Sequence, residues 1–467
     1  MRALSESMAK VYVKTMGCKV NTFDSQVLET QFRAHGHELV GTADDAEVMV
    51  VNTCSVTANA DREARYLARK ARRARPDGLV VFTGCYAQTD SARLAAMDEV
   101  DVVVPNEAKD RLVAIVDEGL ARRRGEAATG ASLQLEGKLP VGVSAVDANR
   151  QGHFKTASVL FDQAQTDRTR AFVKAQDGCN GFCAYCLIPY ARGASRSVPR
   201  AALVAEITRL AAAGVPEVVL TGIHLGDWGR DLEGEKHRAE PFADLVDSLF
   251  ATPGLRRLRL SSLEPGELSD DLVRVLAQHR ELVCDHLHLP LQAGADRTLA
   301  RMRRSYDTRG YADAVHRFRA AFPDAGIGAD VIPGFPGESD EDFEATCRFI
   351  EELELSFLHV FPYSKRPNTS AARMPGHLHG DVVRDRAARL RALGTELTER
   401  FGRRFIGRTL DVLWEDQLDA QGRRVGHARN YLAVAAAGPA PAPGTMVPAA
   451  VKGFVEGQRL LVRPLHS

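Results

Sequence analysis

The chain has 467 residues, 45% hydrophobic and 26% charged, which is typical of a folded protein of two or three domains and excludes disordered, collagen-like and coiled-coil proteins. Acidic and basic residues balance at 61 each, so any contact with nucleic acid must be local. No apolar run is long enough for a membrane span or a signal peptide, and we expect a cytoplasmic protein without a membrane partner. Eight cysteines are too few for a disulfide scaffold, so we expect core, catalytic or metal-binding thiols.

Residues 10–120 alternate helical stretches with short β-branched runs at 11–13, 48–51, 79–82 and 102–104. This alternation predicts a first domain built on an open parallel α/β sheet. The first three runs are each followed by a cysteine, at Cys18, Cys54 and Cys85. Because the carboxyl ends of parallel strands meet at one edge, we expect these thiols to converge, although each alone would more often be a buried core thiol.

Residues 121–168 have weak periodicity and are predicted to be a linker. Residues 169–403 contain six candidate strands, which predict a partial (βα)6 barrel with its chemistry at the C-terminal rim. The six lie at 171–174, 217–221, 257–262, 286–289, 327–332 and 357–361. Residues 404–467 form short strands and turns that predict a small β-barrel of a type that often binds oligonucleotides.

A C-x3-C-x2-C triplet directly follows the first strand of the second series, at Cys179, Cys183 and Cys186. Three thiolates on one loop predict a metal cluster with an open position, since no fourth cysteine lies nearby. The alternative is a structural zinc site that borrows a histidine. The three N-terminal cysteines also lack a fourth partner and predict a second cluster, whereas Cys284 and Cys347 are interpreted as core or incidental thiols.

With these six cysteines in place, the sequence resembles the radical S-adenosylmethionine methylthiotransferases over about residues 10–465. The resemblance implies an N-terminal methylthiotransferase domain, a radical S-adenosylmethionine domain and a C-terminal RNA-binding TRAM domain. It also implies two [4Fe-4S] clusters. One, on the triplet of the second series, would chelate the methionine part of S-adenosyl-L-methionine through its open iron. The other, on the N-terminal cysteines, would be an auxiliary cluster associated with the inserted sulfur.

Several segments at the predicted rim are candidate contacts of the S-adenosylmethionine cofactor. The resemblance places backbone near residue 221 against the methionine part, although an ordinary Gly-containing turn explains this segment equally well. The hydroxyl and carboxylate groups after the third strand could meet the ribose, and glycines after the fifth allow close backbone approach. The candidates are Tyr185, Thr221, Gly222, Ser261, Glu264 and Gly334, and no catalytic side chain is assigned beyond the cluster ligands.

The resemblance extends to a branch of the family that acts on N6-threonylcarbamoyladenosine at tRNA position 37. It rests on the sequence around Cys18, GCKVN, and on residues 176–193. It implies replacement of the C2 hydrogen by a methylthio group, with the anticodon stem-loop and an electron donor such as flavodoxin or ferredoxin as partners. The threonylcarbamoyl carboxylate predicts a cation in the pocket, for which Lys19, Arg192 and Arg196 are the candidates, although each could equally pair with a neighbouring carboxylate or with the cofactor.

Other interpretations stay open at this point. The same enzyme class could act on isopentenyladenosine in tRNA or on a ribosomal-protein Asp, or a radical enzyme could insert no sulfur. A non-catalytic, metal-stabilised RNA-binding protein is the alternative from another class. RNA contacts are expected on the C-terminal barrel, where residues 426–431 resemble a TRAM signature, or on the basic runs at 62–75 and 297–309.

Overall fold

Parallel strands dominate the first two thirds of the molecule, and a closed β-barrel follows them. The computed structural model describes residues 8–124, 139–140, 169–232, 240–455 and 458–465. Among these residues, no helix is both long and apolar enough to cross a membrane.

The N-terminal sheet has six parallel strands in the order β2-β1-β3-β4-β5-β6. β3 and β4 are completely buried and mainly apolar, as expected for the centre of a parallel sheet covered by helices on both faces. The strands are β1 (Lys10–Thr15), β2 (Glu38–Leu39), β3 (Val48–Thr53), β4 (Leu79–Gly84), β5 (Val102–Val103) and β6 (Leu139–Pro140). The helices are α1 (Lys19–Ala34), α2 (Ala58–Ala74), α3 (Cys85–Thr89), α4 (Ser91–Ala95) and α5 (Leu112–Arg123).

All four predicted strands are present in this sheet, whereas two-residue strands β2 and β6 were not anticipated. The predicted linker at 121–168 differs from the structure at both described places. α5 continues to Arg123, and β6 extends the sheet by pairing with β5. A sheet edge offers unpaired backbone groups to any extended segment, so pairing there needs no strong sequence pattern. The rest of that segment lies outside the described residues.

The central part contains β7, β9, β10, β11, β12 and β13 in this spatial order, all parallel, with isolated bridges joining β10 to β11. The antiparallel β8 lies beside β7. The strands are β7 (Arg170–Asp177), β8 (Arg196–Ser197), β9 (Glu217–Gly222), β10 (Leu258–Leu260), β11 (His286–His288), β12 (Gly326–Val331) and β13 (Phe357–Val360). The helices are α6 (Ile188–Arg192), α7 (Arg200–Ala212), α8 (Phe242–Phe250), α9 (Asp270–Gln278), α10 (Asp296–Met302), α11 (Thr308–Ala321), α12 (Asp340–Glu352) and α13 (Gly380–Arg403).

Side chains alternate strictly across this central sheet. Residues such as Leu258, Leu287 and Ile327 pack into the large apolar core with the helices. Because successive side chains point to opposite faces, their polar neighbours point to the other face. We call the space on that inner face the lumen. Its lining includes Lys174, Thr221, Ser261, His288, Asp330 and His359.

The C-terminal barrel closes in the order β14-β15-β16-β18-β17 around the buried side chain of Trp414. It packs against the N-terminal ends of the central strands. Arg170 at the start of β7 pairs with Glu415 at 2.7 Å, and Arg257 beside β10 pairs with Asp411 at 2.5 Å. The strands are β14 (Thr409–Leu418), β15 (Arg424–Ala428), β16 (Ala433–Ala436), β17 (Met446–Val455) and β18 (Arg459–Pro464).

The N-terminal sheet contacts the opposite, C-terminal ends of the central strands and the side of β7. α1 packs along β7, and α3 packs against α6. Beyond β13, the buried guanidinium of Arg366 binds Asp61 and, at 2.8 Å, the hydroxyl of Ser55. The lumen therefore lies between the N-terminal sheet above and the C-terminal barrel below.

Candidate functional site

The three N-terminal cysteines meet at one edge of the first sheet. Cys18 precedes α1, Cys54 follows β3, and Cys85 begins α3 directly after β4. Their strands β1, β3 and β4 are adjacent, which brings the strand ends together. Gly17 has a φ of 88°, and a Cβ there would lie 2.7 Å from Cys54 Sγ, so only glycine allows this approach. We call Cys18, Cys54 and Cys85 the strand-end cysteines.

Burial and mutual proximity disfavour thiolates at this edge. Burial, together with the nearby Cys85, raises the pKa of Cys54 to about 12. Burial also raises the pKa of Cys18, against the opposing charge of Arg192. A bound cation reverses such shifts, because it favours the deprotonated ligand. Three neighbouring thiols whose surroundings disfavour the thiolate form suit a metal centre, because a bound metal would stabilise the thiolates.

The second triplet lies on the loop between β7 and α6, and we call Cys179, Cys183 and Cys186 the loop cysteines. Gly178 turns the chain into this loop with a φ of 75°, and a Cβ there would collide with the carbonyl oxygen of Ala194. Backbone amides point at the sulfurs: Gly181 N–H donates to Cys179 Sγ at 3.3 Å, and Ile188 N–H donates to Cys186 Sγ at 3.4 Å. Burial and the neighbouring thiols raise the pKa of Cys186 to about 12.

Neither triplet has the compact geometry of a single zinc ion. Tetrahedral zinc with sulfur at about 2.3 Å places its ligands about 3.8 Å apart. No three cysteine sulfurs in the described chain lie within 4.8 Å of one another, and the one ligand group that does is His288, Asp330 and His359. The wider spacing fits a polynuclear iron–sulfur cluster.

Arg304 joins two of the predicted cofactor contacts to the loop cysteines. Its guanidinium donates to Cys183 Sγ at 2.9 Å and to the Tyr185 hydroxyl at 3.3 Å, and it also binds the Glu264 carboxylate. The sequence placed this arginine in a basic run that could bind RNA, and the structure instead buries it beside the loop. The sequence around Arg304, just after α10, contains no pattern that predicts its contact with the loop cysteines.

His224 is a second residue that the sequence analysis did not single out. Its Nδ1 lies 3.6 Å from Cys179 Sγ, and its Nε2 lies 2.6 Å from Glu267. Although burial acts to lower it, the hydrogen bonds to Cys179 and Glu267 raise the pKa of His224 to about 11. The only sequence signal was its position three residues after Thr221, at the end of β9.

The remaining predicted cofactor contacts are distributed along the rim. Thr221 is buried and Gly222 half-buried at the end of β9, below the loop cysteines. The buried Ser261 hydroxyl has no hydrogen-bond partner among the described residues, so it is available to a ligand. Gly334 has its own packing reason for being glycine, because a Cβ there would lie 2.6 Å from a methyl group of Val383 and its N–H already donates to Glu338 at 2.7 Å. Cofactor binding by these residues stays a prediction.

Known proteins share both halves of this arrangement. Residues 10–105 match the family described as uncharacterized protein family UPF0004, and residues 173–350 match the radical SAM superfamily. The threonylcarbamoyladenosine tRNA methylthiotransferase MtaB of Bacillus subtilis is 36% identical over 91% of this chain and 90% of its own length. The tRNA-2-methylthio-N(6)-dimethylallyladenosine synthase of Sphingopyxis alaskensis is 33% identical over 95% of each chain.

The chain belongs to the radical S-adenosylmethionine methylthiotransferases. The resemblance seen in its cysteine pattern is thereby confirmed, as are the cofactors of the family, S-adenosylmethionine and [4Fe-4S] clusters. Among solved structures, a radical S-adenosylmethionine methyltransferase, TsrM of Kitasatospora setae, has a TM-score of 0.54 and 15% identity, and the match covers 78% of this chain and 76% of that one. This likeness concerns the fold alone.

In this methylthiotransferase a buried ionic cluster joins the two cysteine sites. Asp24 of α1 binds Lys109 at 3.0 Å, Lys174 at 2.8 Å and Arg192 at 3.1 Å. Arg192 and Lys174 also bind Asp177, just before the loop cysteines. These cations outweigh burial and hold the pKa of Asp24 well below its usual range. The cluster fixes α1, and with it the strand-end cysteines, against the loop.

Two of the cations predicted for a substrate carboxylate are therefore already engaged. Arg192 is buried between Asp24 and Asp177, so it pairs with neighbouring carboxylates and is not available to a substrate. Arg196 donates to the carbonyl oxygens of Arg192 and Ala194 at 2.9 and 3.0 Å. Lys19, in contrast, forms no ion pair within the described residues and remains half-buried beside the lumen.

A cluster of three polar side chains, one on each of three adjacent strands, lines the lumen. Asp330 Oδ1 lies 3.0 Å from His288 Nε2 and 3.3 Å from His359 Nδ1. Against the effect of burial, both hydrogen bonds hold the pKa of Asp330 below its usual range. His288 thus faces the lumen with a carboxylate partner.

Proposed function

We propose that this methylthiotransferase converts N6-threonylcarbamoyladenosine at position 37 of tRNA into its 2-methylthio derivative. The observation that carries the proposal is the placement of two separate cysteine triplets around one polar lumen, since sulfur insertion requires a sulfur source and a radical source at the same substrate atom. The identity with the Bacillus subtilis relative supports this choice of substrate.

The two triplets would hold the two clusters, with the loop cysteines in the radical site and the strand-end cysteines in the auxiliary site. The loop cysteines would hold a [4Fe-4S] cluster that would supply the electron for reductive cleavage of S-adenosylmethionine, since no side chain could by itself break the unactivated C–H bond. Arg304, Tyr185, Glu264 and His224 provide the polar surroundings of that loop.

The division of labour follows the three parts of the chain. Residues 10–120 would carry the auxiliary cluster and residues 169–403 the radical chemistry. Residues 404–467 would act as a TRAM-like module that binds the anticodon stem-loop through charge. A flavodoxin or ferredoxin would supply electrons, and the cytoplasm, where tRNA takes part in translation, would be the site of action.

Two triple variants test the assignment of the clusters. Alanine at all three loop cysteines should abolish formation of 5′-deoxyadenosine, because the radical site is lost. Alanine at all three strand-end cysteines should leave some cleavage of the cofactor but no methylthiolated product. Iron content measured on both variants provides the control, and complete loss of iron in each would instead indicate one shared cluster.

The substrate is tested with reconstituted enzyme and two RNAs. Anticodon stem-loops that carry threonylcarbamoyladenosine or isopentenyladenosine are incubated separately, and the nucleosides are analysed by mass spectrometry. We expect the methylthio product only from the first. The 33% identity to the Sphingopyxis relative makes isopentenyladenosine the second candidate, and comparable turnover of that RNA would replace the proposed substrate.

A further inference from the structure

The C-terminal barrel supplies the floor of the lumen. Arg259 on β10 donates to the backbone carbonyl oxygens of Arg429 and Ala428, at 3.1 and 3.4 Å, in the loop after β15. Gly326 on β12 has no room for a side chain, since a Cβ there would collide with the carbonyl oxygen of Asn430. The loop between β15 and β16 is therefore seated directly on the N-terminal ends of the central strands.

Tyr431 of this loop is directed toward the lumen. Its φ of 71° is a left-handed conformation that side chains other than glycine rarely adopt, and the surrounding packing maintains it. The ring lies 4.5 Å from the inward-facing His286 and 4.9 Å from the guanidinium of Arg259. Against the effect of burial, the nearby charges of Lys19, Arg170 and Arg259 lower the pKa of its hydroxyl group. The hydroxyl group donates to no acceptor among the described residues, so the phenol hydrogen is available to another partner.

Lys19 reaches the same region from α1, close enough for the charges of Tyr431, Arg259 and Arg170 to act on its ammonium group. The neighbouring lumen cations have partners: Arg170 binds Glu415 at 2.7 Å, and Arg259 binds Glu217 at 2.8 Å.

Lys19 itself has no ion-pair partner in the described chain. Asp330, a carboxylate whose charge also reaches it, is already shared by His288 and His359. An ammonium without a counter-ion in a half-buried position favours an anionic ligand.

We propose that Lys19 and Tyr431 form the subsite that binds the carboxylate of the threonylcarbamoyl group, with the ammonium as counter-ion and the phenol as hydrogen-bond donor. This inference rests on the proposed function and specifies how its substrate is selected. An isopentenyl group offers no acceptor, so it would leave both groups unpaired and press apolar surface against an ammonium. The barrel then contributes to substrate choice as well as to RNA affinity.

The test compares two anticodon stem-loops that differ in one group: one carries threonylcarbamoyladenosine, and the other has its carboxylate converted to the carboxamide. A charge-assisted hydrogen bond predicts that the wild type prefers the acid by about 10- to 100-fold in kcat/KM. Lys19→Met should reduce this preference to nearly one, and Tyr431→Phe should reduce it by about fivefold. The exposed Lys10→Met and the half-buried Tyr12→Phe provide matched controls that should keep the wild-type preference.

Each outcome has a distinct meaning. Iron and sulfide contents show whether the change beside Cys18 has disturbed a cluster, and Tyr431→Phe, which is remote in sequence from every cysteine, carries the test independently. Retention of the wild-type acid preference in both variants would overturn the subsite while leaving the proposed function intact. Modification of the isopentenyl RNA alone by the wild type would overturn the proposed function and the subsite with it.

Discussion

Replacement of Asp24 by asparagine removes the one charge that three buried cations share. Lys174 and Arg192 keep Asp177 as a partner, at 3.2 and 2.9 Å. Lys109 loses the only carboxylate that it binds among the described residues and retains the Asn52 amide oxygen at 3.3 Å. Removal of one partner from a buried pair costs about 3–5 kcal/mol. Because two of the cations remain paired, we expect a decrease of about 3 kcal/mol in the free energy of unfolding, at the lower end of that range.

Urea unfolding followed by circular dichroism measures this change, with the exposed Asp44→Asn as the control, which should lie within about 0.5 kcal/mol of the wild type. Adding Lys109→Met to Asp24→Asn should recover part of the loss, since it removes the cation left unpaired.

The depressed pKa of Asp24 means that its contribution is fully present above about pH 4 and is lost as the pH falls through the lower folded value. The difference between wild type and variant should therefore shrink in acid. This prediction would be refuted if Asp24→Asn lowered the free energy of unfolding by less than about 1 kcal/mol at neutral pH and the added Lys109→Met had no effect. The ionic cluster would then be neither dry nor fully coupled.

Two further predictions concern the loop and the floor. Gly178→Ala should remove about half of the bound iron, because the new methyl group collides with Ala194. Gly214 has a similar φ of 78° but open space around it, so the control variant Gly214→Ala should keep its iron. Equal iron contents in the two variants would exclude the steric explanation. Glu217→Gln should lower stability by about 3 kcal/mol at neutral pH. Although burial opposes ionisation, Arg259 and Arg257 hold the pKa of Glu217 at about 2, so its contribution is complete above about pH 4.5 and is lost as the pH falls toward 2. Thermal denaturation over that pH range should show that the wild type loses stability in acid and that Glu217→Gln does not. Parallel dependence of the melting temperature on pH in the two proteins would contradict this prediction.

The sequence by itself determined the features that depend on local spacing. The loop cysteines are separated by only three and two intervening residues, so one loop must present them together. The strand-end cysteines follow β-branched runs of a parallel sheet, whose ends meet at one edge by geometry. Periodicity of two in the strands and of 3.6 in the helices likewise predicted the parallel sheets, with errors limited to two-residue strands and the edges of the linker.

Only the tertiary structure decided which polar groups face one another. Asp24 and Arg192 are 168 residues apart, and their ion pair exists because α1 packs on the inner side of β7. The same packing pairs Arg192 with two carboxylates and leaves Lys19 without an ion-pair partner in the described chain. From the sequence, both were equally good candidates for the substrate cation. Arg304 and Tyr431 likewise have no local signal for their positions at the cysteine loop and at the lumen floor. Side-chain partners at such separations are selected by the packing of whole elements, and sequence periodicity specifies which face of an element is buried but not what that face meets.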